Sequence, residues 1–260
     1  GRVEQLEKIL FKTSVEGNLG IGHVRWATHG VPNTINAHPH STEIVSVVHN
    51  GIIENSNDLK KELELKGLKF KSQTDTEVIT LLLTNELKTH QPLDAVHKTL
   101  KQLKGSFALG IIFKNFEDII IGARRGSPLA VGYSKNENYL GSDSYALKTM
   151  TNKISYLDDG DICVLTKDSV SFYDVKKNKI NKEVLILSDD KNISDKGDYK
   201  NFMSKEIFEQ PITAKNCIHE YVDKIRDDIN FYNFPIKPQS INKIVFVGCG
   251  TAYHSCLVAK

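Results

Sequence analysis

From Ser106 to Leu187 the sequence is a succession of short apolar runs, rich in valine, isoleucine and aromatic residues, each closed by a turn. Runs of this kind, with connections this short, are strands of an antiparallel meander, because parallel neighbours need long crossovers. The runs 107–113 and 119–123 flank Asn115-Phe116-Glu117 as a hairpin; 129–133, 139–141, 160–165, 169–173 and 184–187 follow, with a short helix over 143–150. The chain ahead of this block reads differently. Val3, Leu6, Ile9 and Leu10 recur at helical spacing. Asn55, Ser56 and Asn57 offer N-caps for a helix carrying Leu59 and Leu63, with Gly67 as its stop. A second helix opens near Thr76 with Val78, Leu81 and Leu82, and a third at Pro92 with Leu93, Val96, Leu100 and Leu103. Between them lie a short strand over 20–26, a buried strand over 44–49 ended by Asn50-Gly51, and a short strand around Phe70. Helices early and an antiparallel meander late argue for the α+β class.

Residues 188–200 are polar and charged, a linker by composition. Helical segments follow, marked by Phe202, Ile207, Phe208, Ile212, Cys217, Ile218 and Tyr221. The run 244–247 reads as a short buried strand entering Gly248-Cys249-Gly250-Thr251 and a helical tail. Strand, Gly-x-Gly, helix is how an α/β phosphate-binding domain opens. It fails as a dinucleotide fingerprint, because Tyr253 stands where the third glycine belongs.

At 260 residues the chain has room for one large domain or two smaller ones. Lysine plus arginine total 34 against 32 acidic residues, which leaves no electrostatic footprint for nucleic acid or a membrane surface. No apolar run approaches the roughly 18 residues of a membrane span. The four cysteines show no CxxC spacing, so a reducing, cytoplasmic compartment is expected. The chain has no initiator methionine and stops at Lys260 in an opening helix. It is therefore expected to be an internal piece of a longer protein, without a signal peptide.

Several short segments carry chemistry. In Gly22–Gly30 a strand ends in Arg25 and Trp26, the only tryptophan. A guanidinium matches a carboxylate with two parallel hydrogen bonds; the structural alternative is a surface arginine beside a packed tryptophan. His49-Asn50-Gly51 can converge an amide and a backbone N–H on one point, as an oxyanion hole does. Asn-Gly is also the strongest short-range hairpin signal. In Thr74-Asp75-Thr76-Glu77, Asp75 can take a substrate ammonium, or the segment can simply cap a helix. Five of nine histidines fall between residues 23 and 49, and His38-Pro39-His40 hints at zinc. A third ligand and a nearby cysteine are lacking, so no metal is expected.

In combination these segments are specific. Arg25-Trp26-Ala27-Thr28-His29-Gly30, Asn36-Ala37-His38-Pro39-His40, His49-Asn50-Gly51-Ile52-Ile53-Glu54-Asn55 and Thr74-Asp75-Thr76-Glu77 occur in that order. Gly126-Ser127-Pro128-Leu129, Ser142-Asp143 with Ala146-Leu147, Asp159-Gly160-Asp161, Lys205 to Pro211 and Gly248 to Tyr253 follow. This series resembles the glutamine–fructose-6-phosphate aminotransferase family, across essentially the whole chain. The resemblance implies an α+β, N-terminal nucleophile (Ntn) hydrolase-type αββα sandwich over 1–193. A linker over 194–200 and the start of an α/β sugar-phosphate isomerase (SIS) domain over 201–260 would follow. It implies that Arg25 holds the glutamine α-carboxylate and Asp75 the α-ammonium. Trp26, Thr28 and His29 would line the pocket, and His38 would lie near it. Asn50 and Gly51 would form the oxyanion hole, and Thr251 would contact the sugar phosphate.

The family's nucleophile is a cysteine at the mature N-terminus, with its own amine as base. Here all four cysteines lie at residue 163 or later, so that nucleophile is absent from this chain, which alone should be inactive. Ala252 stands where some relatives carry serine. The complete enzyme is expected to convert glutamine and fructose 6-phosphate to glucosamine 6-phosphate and glutamate. Ammonia would pass internally, no cofactor would take part, and the enzyme would be a homo-oligomer. Rivals are another glutamine amidotransferase, of the amidophosphoribosyltransferase or asparagine synthetase type, or a non-catalytic glutamine-binding module. The segment from Lys205 to Pro211 and the Gly-Cys-Gly-Thr turn argue against the first two.

Overall fold

The computed structural model describes residues 3–13, 16–187, 196–223, 228–229, 240–248 and 250–260. They fall into two compact units, Gly1–Asp189 and Asp190–Lys260.

The first unit opens with helix α1 (Val3–Leu10), none of whose residues is buried. Strands β1 (His40–Ser41) and β2 (Val45–Ile53) follow, then helices α2 (Ser56–Leu65), α3 (Thr76–Glu86) and α4 (Pro92–Gln102). Pro92 sits in the first turn of α4, where its missing N–H costs nothing. Gly67 ends α2 as expected: at φ 82° it lets Leu68 N–H reach the Leu63 carbonyl and its own N–H reach Glu64. The meander is β3 (Gly105–Phe113), β4 (Phe116–Arg125), β5 (Ala130–Ser134), β6 (Glu137–Gly141), β7 (Lys153–Tyr156), β8 (Ile162–Leu165), β9 (Val170–Tyr173), β10 (Lys179–Ile180) and β11 (Leu185–Ile186). Helix α5 (Ser144–Leu147) interrupts it, capped by the Asp143 side chain.

The strands form two antiparallel sheets: seven strands in the order β1-β2-β3-β4-β8-β9-β10, and four in the order β11-β7-β5-β6. Strand alternation separates the cores. Phe107, Leu109, Ile111 and Phe113 of β3 pack with Leu59, Leu63, Ile79, Leu83 and Val96 of α2 to α4. Ala108 faces the other way, into a core shared with Val131, Leu157, Cys163 and Leu165. Ala130, Ile154 and Leu147 make a third cluster on the outer face of the smaller sheet. The layers are thus helix, sheet, sheet, helix.

Three expectations for this unit change. Residues 20–26 make no ladder with any described strand. Phe70 is not in a strand either; the next amides, Lys71 and Ser72, donate to the Glu77 carboxylate at 2.8 and 2.6 Å. Asn50-Gly51 does not end β2, which runs on to Ile53. Asn50 pairs with Ala108 and Gly51 with Phe107 along a nine-residue register, and the long partner β3 overrides the local turn signal.

In the second unit, α6 (Phe202–Tyr221) is one helix with Pro211 inside it, and α7 (Thr251–Ala259) is the expected helix after Gly250. Two-residue strands β12 (Val222–Asp223) and β13 (Asp228–Ile229) pair between them. The expected buried strand over 244–247 is absent. Ile244 to Val247 are 50% to 88% exposed and pair with no described strand, so the ladder and the cover that a buried strand needs are missing. Most of the expected linker, 188–195, and Cys249 of the Gly-x-Gly turn lie outside the described residues.

Candidate active site

One cavity of the first unit, of about 280 Å³, is lined by residues from four places: the loop 23–29 with His38, the second half of β2, the head of α3, and the start of β3. It gathers Arg25, Trp26, Thr28, His29, His38, Asn50, Gly51 and Asp75, every residue the sequence singles out except Thr251. Thr251 opens α7 in the second unit and is exposed. His23, His49, Ile52, Thr74, Thr76 and Ser106 complete the lining. The histidine excess over 23–49 was the available signal for His23 and His49. Nothing local marks Ser106, which is brought in by its pairing with Ile52.

Asp75 stands at the N-cap position of α3 but makes no capping bond. Its Oδ2 accepts the Ile53 N–H at 2.8 Å, and its Oδ1 lies 3.9 Å from His29 Nδ1. The carboxylate is 6% exposed, so it is a buried anion with one hydrogen bond and one oxygen toward the cavity. Such a group calls for a cation. The neighbouring Glu77 instead ties down the loop ahead of α3: its carboxylate takes the Lys71 and Ser72 amides and the Ser72 hydroxyl.

Arg25 has φ 47°, and its guanidinium donates to the carbonyls of His29 at 2.7 Å and Val31 at 3.2 Å. A carboxylate would accept the same fork more strongly than these loop carbonyls do. Trp26 is 91% exposed, so it is not the packed tryptophan of the structural alternative. The loop is tied down by buried Asn36, which bridges the Val31 carbonyl and Gln73.

Gly51 has φ 135°, and a Cβ there would lie 2.1 Å from the Ser106 carbonyl oxygen. Only glycine fits this approach of β2 to β3. The Asn50 Oδ1 lies 2.7 Å from His23 Nε2. Behind it His23, His38 and His40 are packed ring to ring, at 4.4 and 5.2 Å between centroids. Burial, then the neighbouring His23, pushes His38 down to about 3. Burial also lowers His40 and His49, against the pull of Glu77 and Asp75 respectively. His38, His40 and His49 therefore favour the neutral form. His49 Nδ1 bonds the Thr76 hydroxyl at 3.0 Å, and His40 Nε2 the Thr74 hydroxyl at 2.9 Å.

No group of three His, Cys, Asp or Glu side chains among the described residues is placed to hold a metal ion. None of the described cysteines lines the cavity. Cys163 lies between the sheets, and burial pushes its thiol up to about 12. No described helix is long and apolar enough to cross a membrane.

A guanidinium fork and a buried carboxylate around one small cavity are the donor set that an α-amino acid zwitterion requires. Fold and cavity together define a class: residues 31–149 match the glutamine amidotransferase domain family. The layering is that of Ntn-type glutamine amidotransferases. One structural neighbour is a glutamine phosphoribosylpyrophosphate amidotransferase from B. subtilis, with TM-score 0.50 and 23% identity over 60% of this chain and 35% of that one. A second, described as the allosteric regulatory enzyme of purine biosynthesis, has TM-score 0.50 and 26% identity over the same shares.

Within that class, the chain is homologous along its whole length to glutamine–fructose-6-phosphate aminotransferases (isomerizing). It is 43% identical to that of Zymomonas mobilis, 44% to that of Bartonella henselae and 45% to that of Mesorhizobium japonicum. Each match takes in 100% of this chain and 43% of the relative, so the chain spans less than half the length of these relatives.

Proposed function

We propose that this chain supplies the glutamine-binding half of an enzyme that makes glucosamine 6-phosphate and glutamate from glutamine and fructose 6-phosphate. The observation that carries it is Asp75: a buried carboxylate at a helix head that leaves the helix uncapped and turns to the cavity shared with Arg25, Asn50 and Gly51. Arg25 takes the glutamine α-carboxylate, Asp75 its α-ammonium, and Trp26, Thr28 and His29 wall the pocket. A thiolate from outside these residues attacks the side-chain amide carbon. The carbonyl oxygen becomes an oxyanion, held by the Asn50 amide and the Gly51 N–H. The C–N bond breaks, ammonia leaves with a proton, and a glutamyl thioester remains. Water hydrolyses the thioester to glutamate and regenerates the thiol. Ammonia reaches the sugar phosphate without entering bulk water.

In the same reading the second unit begins a sugar-phosphate isomerase domain, with Thr251 at the head of α7 near the phosphate. Its support is the Gly250 turn at φ 58°, which leaves the helix start without a side-chain cap. The complete enzyme would be a cytoplasmic homo-oligomer needing no cofactor. Asn50 gives the test in the full-length gene product. Asn50→Ala should lose on the order of 10²–10³ in kcat for glutamine hydrolysis. Asn50→Asp should be equally poor, since it presents an acceptor where a donor is needed. Full activity in Asn50→Asp would remove the assignment.

A further inference from the structure

We propose that His23 is a positioning residue for Asn50: it fixes which end of the Asn50 carboxamide faces the cavity. The proposal rests on the glutaminase reading above and adds a residue to it. Its basis is a chain of two hydrogen bonds with only one consistent direction. The backbone N–H of Arg25 lies 2.8 Å from His23 Nδ1. A backbone N–H can only donate, so Nδ1 is unprotonated and the neutral ring carries its proton on Nε2. That nitrogen is 2.7 Å from the Asn50 Oδ1 and donates to it. The opposite flip of the carboxamide would set its NH2 against the Nε2–H, donor to donor. The Asn50 oxygen is therefore held at His23 and its NH2 is left for the cavity.

No other hydrogen bond among the described residues engages the Asn50 side chain, which is exposed. Without His23, both flips of the carboxamide are open to it. One of them points an oxygen at a developing oxyanion, the opposite of what the reaction needs. The His23 ring is itself held on two sides. Arg25 pins its Nδ1, and His38 packs against its face at 4.4 Å and 56°. His38, braced in turn edge-on by His40 and neutral through burial, supports the ring without a charge that would compete for the Asn50 oxygen. The left-handed backbone at Arg25 accompanies the bond that sets the tautomer, so the residue offered for the substrate carboxylate and the one offered for the oxyanion are linked through one imidazole.

The test is a double-mutant cycle in the full-length gene product, read as steady-state glutamate release with glutamine varied. His23→Leu should lower kcat roughly 10- to 100-fold, a part of what the whole amide is worth, with the glutamine KM nearly unchanged. His23→Gln offers an amide donor close to the Nε2 position and should recover most of that loss, which a general packing role would not predict. In an Asn50→Ala background His23→Leu should have no further effect on kcat. Additive losses in the double variant, or His23→Gln as poor as His23→Leu, would overturn the proposal and leave the glutaminase reading standing. An unchanged kcat in Asn50→Ala alone would take down both. If His23→Leu does not fold, nitrogen-15 spectra of the wild-type imidazoles decide: His23 must be protonated on Nε2 and bare on Nδ1, and the other tautomer refutes the chain of bonds.

Discussion

Replacing Asp75 with asparagine separates the two roles open to a buried carboxylate at the head of a helix. Asp75 is 6% exposed and accepts one hydrogen bond, from Ile53 N–H at 2.8 Å. An asparagine oxygen can accept the same bond, so the substitution removes the charge and little else. Truncating one partner of a buried, hydrogen-bonded charge pair costs roughly 2–5 kcal/mol. The asparagine dipole recovers part of this, which leaves about 2–3 kcal/mol, or a glutamine KM raised roughly 30- to 150-fold. The loss falls on KM, because the α-ammonium is held alike in the ground and transition states. Stability should move the other way. In the free protein the carboxylate is a buried charge with a single hydrogen bond, so Asp75→Asn should hold or raise the Tm. Asp75→Ala, by contrast, leaves the Ile53 N–H unpaired, at about 1–3 kcal/mol. The assay is glutamate release with glutamine varied, beside thermal melts of the same variants. An unchanged KM with a lowered Tm in Asp75→Asn would refute the reasoning and make the residue part of the framework.

Arg25→Lys should fail to rescue Arg25→Ala, because an ammonium cannot offer the two-pronged match to a carboxylate; a wild-type glutamine KM in either variant would make Arg25 structural. Gly51→Ala should cost at least about 1–3 kcal/mol in a denaturant melt, from the strained φ alone, with further loss from the clash against Ser106; a fully stable Gly51→Ala would contradict the close approach of β2 and β3. Because burial holds His38 at about 3 and lowers His40 and His49, the unfolded chain binds more protons than the folded one as pH drops below their ordinary value of 6.5. Stability should then be full above about pH 6.5 and fall on acidification, before carboxylates contribute. His38→Phe should flatten part of that slope, and a Tm that is flat from about pH 7 to 5 would exclude the buried neutral cluster.

The helices were legible because each carries its own punctuation: Pro92 in the first turn of α4, Gly67 after α2, and Asp143 ahead of α5. The long strands β3 and β4 were legible because each contains an uninterrupted apolar run long enough for a buried strand. What failed were short apolar stretches. Residues 20–26 and 244–247 have strand composition but no described ladder partner, and composition does not contain the partner. Conversely, β1, β10, β12 and β13 are two residues each, too short for any period to appear, and exist only because a neighbour pairs with them.

The site was legible only in combination, and the physical reason is specific. Asn50-Gly51 looks like a turn because a carboxamide and a free φ suit turns. Asp75 looks like a cap because a short carboxylate suits the head of a helix. The same properties serve a substrate: the carboxamide can donate to an oxyanion, and the carboxylate can take an ammonium. Local sequence therefore presents both uses with equal force, and the decision lies in contacts far along the chain. Pairing with Ala108 and Phe107 keeps Asn50 and Gly51 inside a strand. The Ile53 amide draws the Asp75 side chain away from α3 and toward β2. The head of α3 is left without a side-chain cap, and Glu77 holds the Lys71 and Ser72 amides of the loop before it. The turn role is overruled by a ladder and the cap role by a bond to the neighbouring strand, and the side chains so redirected are the ones that meet in the cavity.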